Sequence, residues 1–276
     1  MNLKDAIKQS CDIYFYDLAR RLGVDRLSIT AKKYGLGKKI LEEFYLEEKK
    51  GIVPNTKWKK KTLGKNWYLG ETLITGIGQG YVETTPLQLC LMTAHLANGG
   101  FKIKPRIIDD GKISFENIRY KIDQTSNNLN LLNNSEGMVV KNQEFLEPLF
   151  RNQENIKFVC DAMFASTNEP RGTSYRSRIE DKKYQFAGKT GTAQVKKITE
   201  EQREADLDIS QIPYESRDHA LYIAFGPYKN PRYSMSILIE HGGSGSSTAA
   251  PMAKKLFKKL IDRHDLREKI RLKNLI

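Results

Sequence analysis

Phe186-Ala187-Gly188-Lys189-Thr190-Gly191-Thr192-Ala193-Gln194-Val195 places a lysine, two threonines and two glycines within five residues, with apolar residues on either side. Read as a strand, alternate side chains point the same way, so Lys189 and Gly191 share one face and Thr190 and Thr192 the other. A lone Lys-Thr-Gly triplet reads as an ordinary edge strand with a glycine bulge. The full Gly-Lys-Thr-Gly-Thr-Ala-Gln string is much more specific.

Working outward toward the C-terminus, a charged loop spans 196–217. The runs His219 to Phe225 and Tyr233 to Ile239 follow, each apolar on both faces, as in strands covered by helices. Gly226-Pro227-Tyr228-Lys229-Asn230-Pro231 joins them as a hairpin loop longer than two residues. These two runs and the Lys-Thr-Gly strand predict a three-stranded antiparallel sheet. A glycine-serine loop at 241–247 then leads into a helix over 249–261. Its Met252, Leu256 and Leu260 are expected to face the core, opposite Lys254, Lys258 and Lys259. Residues 263–276 read as a basic tail that frays.

Working outward toward the N-terminus, a helix is expected near 153, with Ile156, Val159, Cys160 and Met163 on one face. Residues 110–150 are asparagine-rich and aperiodic and read as a variable surface insertion. Thr85-Pro86 opens a helix that runs to Ala97 and stops at Asn98-Gly99-Gly100. A lysine-rich loop containing Pro54, Trp58 and Trp67 precedes it. Residues 3–22 follow the helical period as one helix ended by Gly23, and 24–34 form a second, short one.

The bulk composition bounds the function. The 276 residues are 39% hydrophobic and 29% charged, a globular balance large enough for one good core. No run approaches the ~18 apolar residues of a membrane span, and the start does not read as a signal peptide. The net charge of +13 favours anionic partners. The lysines lack the aromatic interleaving of an RNA-binding module, so no nucleic acid partner is expected. Cys11, Cys90 and Cys160 are odd in number, far apart and in apolar helical settings, which predicts buried free thiols. The four histidines form no metal-ligand spacing. Gly76-x-Gly-x-Gly and Gly243-Ser244-Gly245 do not continue as phosphate loops. Neither a metal nor a cofactor is expected.

The Gly-Lys-Thr-Gly-Thr-Ala-Gln string resembles the third signature of the penicillin-recognising serine transpeptidases, the strand that lines their active site. Ser10-Cys11-Asp12-Ile13-Tyr14-Phe15-Tyr16 resembles their second signature, Ser-x-Asn or Ser-x-Asp. Three other Ser-x-Asn/Asp matches exist, at Ser126, Ser166 and Ser216, and order and context select Ser10. Gly76-Ile77-Gly78-Gln79-Gly80-Tyr81, Thr85-Pro86-Leu87-Gln88-Leu89 and Asn168-Glu169-Pro170-Arg171-Gly172-Thr173 are also typical. Together they resemble the elongation-type class B enzymes, the penicillin-binding protein 2 group, over residues 1 to about 262. The resemblance implies an α/β, beta-lactamase-like fold, an antiparallel sheet flanked by helices, here as the incomplete C-terminal portion of a transpeptidase domain.

It also implies acyl transfer through a serine ester during cell-wall cross-linking. In that chemistry Lys189 supports the substrate carboxylate and keeps a neighbouring lysine neutral. Thr190 and Thr192 offer hydroxyl donors to that carboxylate, Gly191 between them is the third substrate-binding residue, and the Thr192 N–H is one oxyanion donor. Ser10 relays a proton, and Asp12 holds its loop and contacts the substrate amide. The implied ligands are peptidoglycan stem peptides and beta-lactams. The implied partners are an upstream fragment of the same enzyme and membrane proteins of the elongation complex. The nucleophile should lie in Ser-x-x-Lys, yet no serine here is followed by lysine at the third position. Thr30-Ala31-Lys32-Lys33 and Thr56-Lys57-Trp58-Lys59 are threonine versions, both downstream of Ser10. The expectations are therefore a chain inactive alone, a non-catalytic binding module as the alternative, and, although the family is membrane-anchored and faces the periplasm, a cytoplasmic location for a chain made without an anchor. The resemblance also implies that the outer edge of the strand at 233–239 is left without its family neighbour.

Overall fold

The computed structural model describes residues 1–41, 47–105, 107, 138–139, 145–146, 148–150, 152–195 and 211–273. Most of the asparagine-rich segment and of the charged loop after Val195 therefore lies outside the described residues. Eight α-helices surround a three-stranded sheet among the described residues: α1 (Leu3–Gln9), α2 (Asp12–Leu22), α3 (Val24–Lys33), α4 (Thr56–Leu63), α5 (Leu69–Gly76), α6 (Pro86–Ala97), α7 (Gln153–Asn168) and α8 (Ala250–Lys273). Two short strands, β1 (Met138–Val139) and β2 (Phe145–Leu146), pair with each other. The main sheet runs β3 (Ala187–Ala193), β4 (His219–Gly226) and β5 (Tyr233–Ile239), antiparallel throughout, as predicted.

Register explains the two faces. Lys189 lies opposite Ile223 and Thr190 opposite Tyr222, while Tyr222 lies opposite Ile237. Ala220, Tyr222 and Ala224 pack with Met235, Ile237 and Ile239 against Ala253 and Phe257 of α8. Phe186, just before β3, stacks on Phe257 with centroids 4.9 Å apart. On the other face Ala187, Ile223 and Phe225 meet Leu96 of α6 and Ile156 and Met163 of α7. The doubly apolar strands are thus a sheet between two helical layers.

Five expectations need correction. The helix over 3–22 is two helices, because Ser10 adopts φ 55° and ψ 54° and its N–H closes α1 on the carbonyls of Ala6 and Ile7. Periodicity continues across the break, so the apolar pattern hides it. The lysine-rich loop contains α4 and α5. Asn55 caps α4 by accepting from the Trp58 N–H at 2.8 Å. Lys59 is buried there in an ion pair with Glu71, ringed by Trp67, Tyr68 and Tyr81 at 5.8, 4.8 and 5.8 Å. A helix whose inward residue is a paired lysine has no apolar stripe to read.

The terminal helix runs to Lys273 rather than ending near 261. It also presents a different face: Ala253, Phe257 and Ile261 are buried, whereas Met252 and Leu256 are exposed and Leu260 is half-buried. Both rows fit the helical period. Packing selects the row with small residues at its start, because Ala249, Ala250 and Ala253 let the helix approach the sheet closely. The three cysteines are free, but each is only partly buried. Among the described residues no helix is long and apolar enough to cross a membrane.

Candidate active site

The site begins with two breaks in regular structure. Ser10 sits in the left-handed region between α1 and α2, a conformation that costs a non-glycine residue about 1 kcal/mol or more and persists only where surroundings hold it. The holding contacts come from the turn after α7. Thr173 N–H donates to the Lys8 carbonyl at 3.2 Å. Glu169 bridges Lys4 and Lys8 at 3.1 and 3.0 Å, and these ammonium groups, Lys8 first, hold its carboxyl below the usual range. Arg171, itself at φ 67°, reaches Gln9 Oε1 at 3.1 Å. Gly172 is required sterically, because a Cβ there would lie 2.2 Å from the Ser166 carbonyl oxygen.

Against this corner β3 brings Lys189. Its Nζ donates to Ser10 Oγ at 2.7 Å and to its neighbour's carbonyl, Thr190 O, at 3.0 Å. Burial pulls the Lys189 pKa down to about 8, against the opposing pull of the Asp12 charge. Asp12 is exposed at the start of α2, next to the Ser10 turn. Lys189 therefore exchanges its proton near neutral pH while hydrogen-bonded to a hydroxyl, which is the arrangement a proton relay needs. Of the second-signature residues, Ser10 hydrogen-bonds Lys189 directly, and Asp12 lies near enough for its charge to act on the lysine.

The other strand residues are placed as follows. Thr190 Oγ1 donates to Thr173 Oγ1 at 3.0 Å, and Thr173 in turn lies 3.1 Å from Ser166 Oγ. The Thr190 hydroxyl proton is thus occupied by a neighbour rather than directed outward. Thr192 is exposed, and its carbonyl accepts from Gln79 Nε2 at 2.7 Å. Gly191 lies against Gly245, where a Cβ would come within 2.6 Å of the Gly191 oxygen. Gly188 gives way to Tyr222, whose hydroxyl would sit 2.2 Å from a Cβ. That buried hydroxyl is held by Thr167 and Ser174, both at 3.0 Å.

Gln79 and Thr173 had no assigned role in the sequence, although both lie inside stretches that carried the resemblance. Thr173 follows Gly172, where the chain passes too close to Ser166 for a side chain, and Gln79 lies between Gly78 and Gly80, both at positive φ. The threonine alternatives are engaged elsewhere. Thr56 Oγ1 binds Asp25 at 3.0 Å, Lys59 pairs with Glu71, and Lys33 lies over the Phe150 ring at 5.6 Å.

Comparison with known proteins identifies the family. The family model for the penicillin binding protein transpeptidase domain matches residues 1–258. The Peptidoglycan D,D-transpeptidase MrdA of Salmonella typhimurium (strain SL1344) is 31% identical over 262 residues, covering 95% of this chain and 38% of the relative. The MrdA of Haemophilus influenzae is 33% identical over 92% of this chain and 35% of the relative. The chain therefore spans little more than a third of the length of these curated relatives. Among solved structures, Pseudomonas aeruginosa PBP2 in complex with WCK 5153 matches with a TM-score of 0.69 and 34% identity over 94% of this chain and 49% of that one. The Helicobacter pylori complex between PBP2 and MreC gives 0.69 and 30%, over 95% and 40%. The chain belongs to the penicillin-binding protein transpeptidase domain family.

Proposed function

We propose that these residues form the substrate-holding and proton-relaying part of a peptidoglycan D,D-transpeptidase, and that acyl transfer needs a Ser-x-x-Lys nucleophile from outside the 276 residues. The observation that carries the reading is the 2.7 Å contact between Lys189 Nζ and Ser10 Oγ, with a lysine pKa of about 8. In the reaction a serine Oγ bonds to the carbonyl carbon of a stem peptide's penultimate D-alanine. The C–N bond to the last D-alanine breaks, and that amine leaves with a proton. An amine of a neighbouring stem then displaces the serine. Ser10 hands its hydroxyl proton to the leaving amine and is recharged from Lys189, which regains the proton given up by the attacking serine; in the second half the acceptor amine's proton passes back to that serine. The positive charge of Lys189 also supports the substrate's terminal carboxylate. The Thr192 N–H supplies one oxyanion donor, an element whose loss raises such barriers by ~3 kcal/mol. Thr192 Oγ1 reaches the carboxylate from the exposed end of β3, and Thr190 does so once Thr173 yields its hydrogen bond. Asp12, at the mouth, contacts the stem amide. A beta-lactam enters the same site as a stem mimic. A partner of the kind seen with the Helicobacter relative, which is bound to MreC, is the partner class that this reading carries over.

The absent Ser-x-x-Lys favours a second reading, a non-catalytic module that binds peptidoglycan or a partner. One experiment separates them: labelling with a fluorescent penicillin, followed by a denaturing gel, with and without a co-expressed segment carrying Ser-x-x-Lys. Alone, the chain is expected to give no labelled band at 31.6 kDa. With the segment, label is expected on the segment, falling 100-fold or more, an order-of-magnitude figure, with Lys189→Ala. A labelled 31.6 kDa band abolished by changing one serine would overturn the need for an outside nucleophile. No labelling in either case, with retention on peptidoglycan, would favour the binding module.

A further inference from the structure

Helix α8 has two faces. One packs on the sheet through Ala253, Phe257 and Ile261. The other exposes large apolar side chains: Met252 at 51%, Leu256 at 45%, Leu266 at 58% and Ile270 at 50%. With Lys259 and Arg263 these form one row, Met252, Leu256, Lys259, Arg263, Leu266 and Ile270, at alternating intervals of four and three. That is the a/d spacing of a heptad seam. Lys259 and Arg263 are exposed and make no ion pair among the described residues. The seam is therefore apolar at both ends and cationic in its middle. It covers about 27 Å at 1.5 Å per residue, enough for two and a half heptads. The family match ends at residue 258, whereas α8 runs on to Lys273, so four of the six seam positions lie on the part beyond the match.

Charge decides what this face fits. A lipid bilayer would take Lys259 and Arg263 at the deepest part of the buried arc, where cations are costly. A second copy of α8 laid antiparallel would set Lys259 and Arg263 against their like-charged equivalents, and a parallel copy would do the same in register. An α-helix whose own seam is apolar at the ends and acidic in the middle satisfies every layer.

We propose that the outer face of α8 docks a partner helix in coiled-coil fashion, through a seam with acidic residues opposite Lys259 and Arg263. The test uses the full chain and two synthetic helical peptides with leucine and isoleucine at the outer seam layers. One carries glutamate at the two central layers, the other lysine. Fluorescence anisotropy is expected to show one-to-one binding of the glutamate peptide, at least 10-fold tighter than the lysine peptide, weakening as salt rises. The Lys259→Glu/Arg263→Glu chain, checked for its helical circular dichroism, is expected to reverse the preference. Equal binding of both peptides, or binding of neither, overturns the proposal without recourse to any variant. So does co-sedimentation with phosphatidylglycerol vesicles that the double charge reversal leaves unchanged, and so does self-association through Leu256 and Ile270.

Discussion

Lys189 Nζ and Ser10 Oγ lie 2.7 Å apart across 179 positions of sequence, and the strain at Ser10 is held by a turn from a third part of the chain. The lysine is also the titratable group whose burial most directly bears on the proposed chemistry, with a pKa of about 8 against an ordinary 10.5. Below pH 8 both folded and unfolded chains carry the proton, and the folded state bears the desolvation penalty. Between about pH 8 and 10.5 the unfolded chain binds more protons, so this group makes stability rise with pH. Lys189→Met is expected to remove that slope and to stabilise the chain at pH 7 by about 2–3 kcal/mol. Chemical denaturation of both proteins from pH 7 to 10 checks it. The difference between them is the relevant quantity, because Cys160, pushed up to about 12 by burial, works in the opposite direction above pH 9. A difference that does not change with pH would contradict a half-buried, proton-exchanging Lys189.

Gly172 should tolerate no side chain. Its Cβ would meet Ser166 O at 2.2 Å and Ser166 C at 2.7 Å, and neither backbone atom can swing aside. Gly172→Ala is expected to cost about 1–3 kcal/mol, as overpacking does, and to displace Thr173 from Thr190. Gly70 is the contrast. It is exposed in α5 with nothing within 4 Å of a Cβ, so Gly70→Ala is expected to stabilise by about 0.5–1 kcal/mol. Paired thermal melts would show opposite signs.

The sheet was legible because two features agreed. The run at 219–225 is apolar at both position parities and that at 233–239 at its odd positions, with Ser234 and Ser236 on the other face, and the connector is too long for a tight hairpin but too short for a crossover. Lys189 and Ser10 could be joined only through the resemblance, since nothing local in either stretch names the other. The rest was hidden for physical reasons. A left-handed serine leaves no mark on periodicity, so the break before α2 was missed. Helix α4 turns a paired lysine inward and so carries no apolar stripe. In α8 two rows fit the period equally, and only the close approach allowed by Ala250 and Ala253 selects between them. Gln79 was within a quoted stretch, but its bond to the Thr192 carbonyl is a tertiary fact.

The buried pair of Lys59 with Glu71 should behave as a unit. Lys59 is almost wholly covered while Glu71 keeps some contact with water. Removing the lysine alone strands a carboxylate among Trp67, Tyr68 and Tyr81. Lys59→Met is expected to cost about 2–4 kcal/mol, somewhat below a fully buried pair. The double change Lys59→Met/Glu71→Gln is expected to recover much of that loss. Urea unfolding of the three variants measures the coupling. Additive losses would mean that the aromatic ring, rather than the ion pair, positions α4.

The outer edge of β5 should govern association. Among the described residues β5 is the last strand of its sheet, pairing only with β4. Met235-Ser236-Ile237-Leu238-Ile239 carries no charge, and Leu238 is exposed. An uncharged apolar edge offers free N–H and C=O groups to any strand that meets it. The net charge of +13 keeps copies apart at low salt, and screening over ~8 Å at physiological ionic strength removes most of that repulsion. The chain is therefore expected to scatter light increasingly as salt rises from 20 to 150 mM, both on the order of ordinary buffer conditions. Leu238→Lys places a charge on the exposed edge without touching the α8 face, where Ile237 and Ile239 pack. It is expected to suppress the rise several-fold while leaving the melting temperature within a few degrees, since an exposed substitution changes stability by only about 0.5 kcal/mol. A monomeric chain at all salt concentrations, with the same behaviour in the Leu238→Lys variant, would mean that this edge does not drive association.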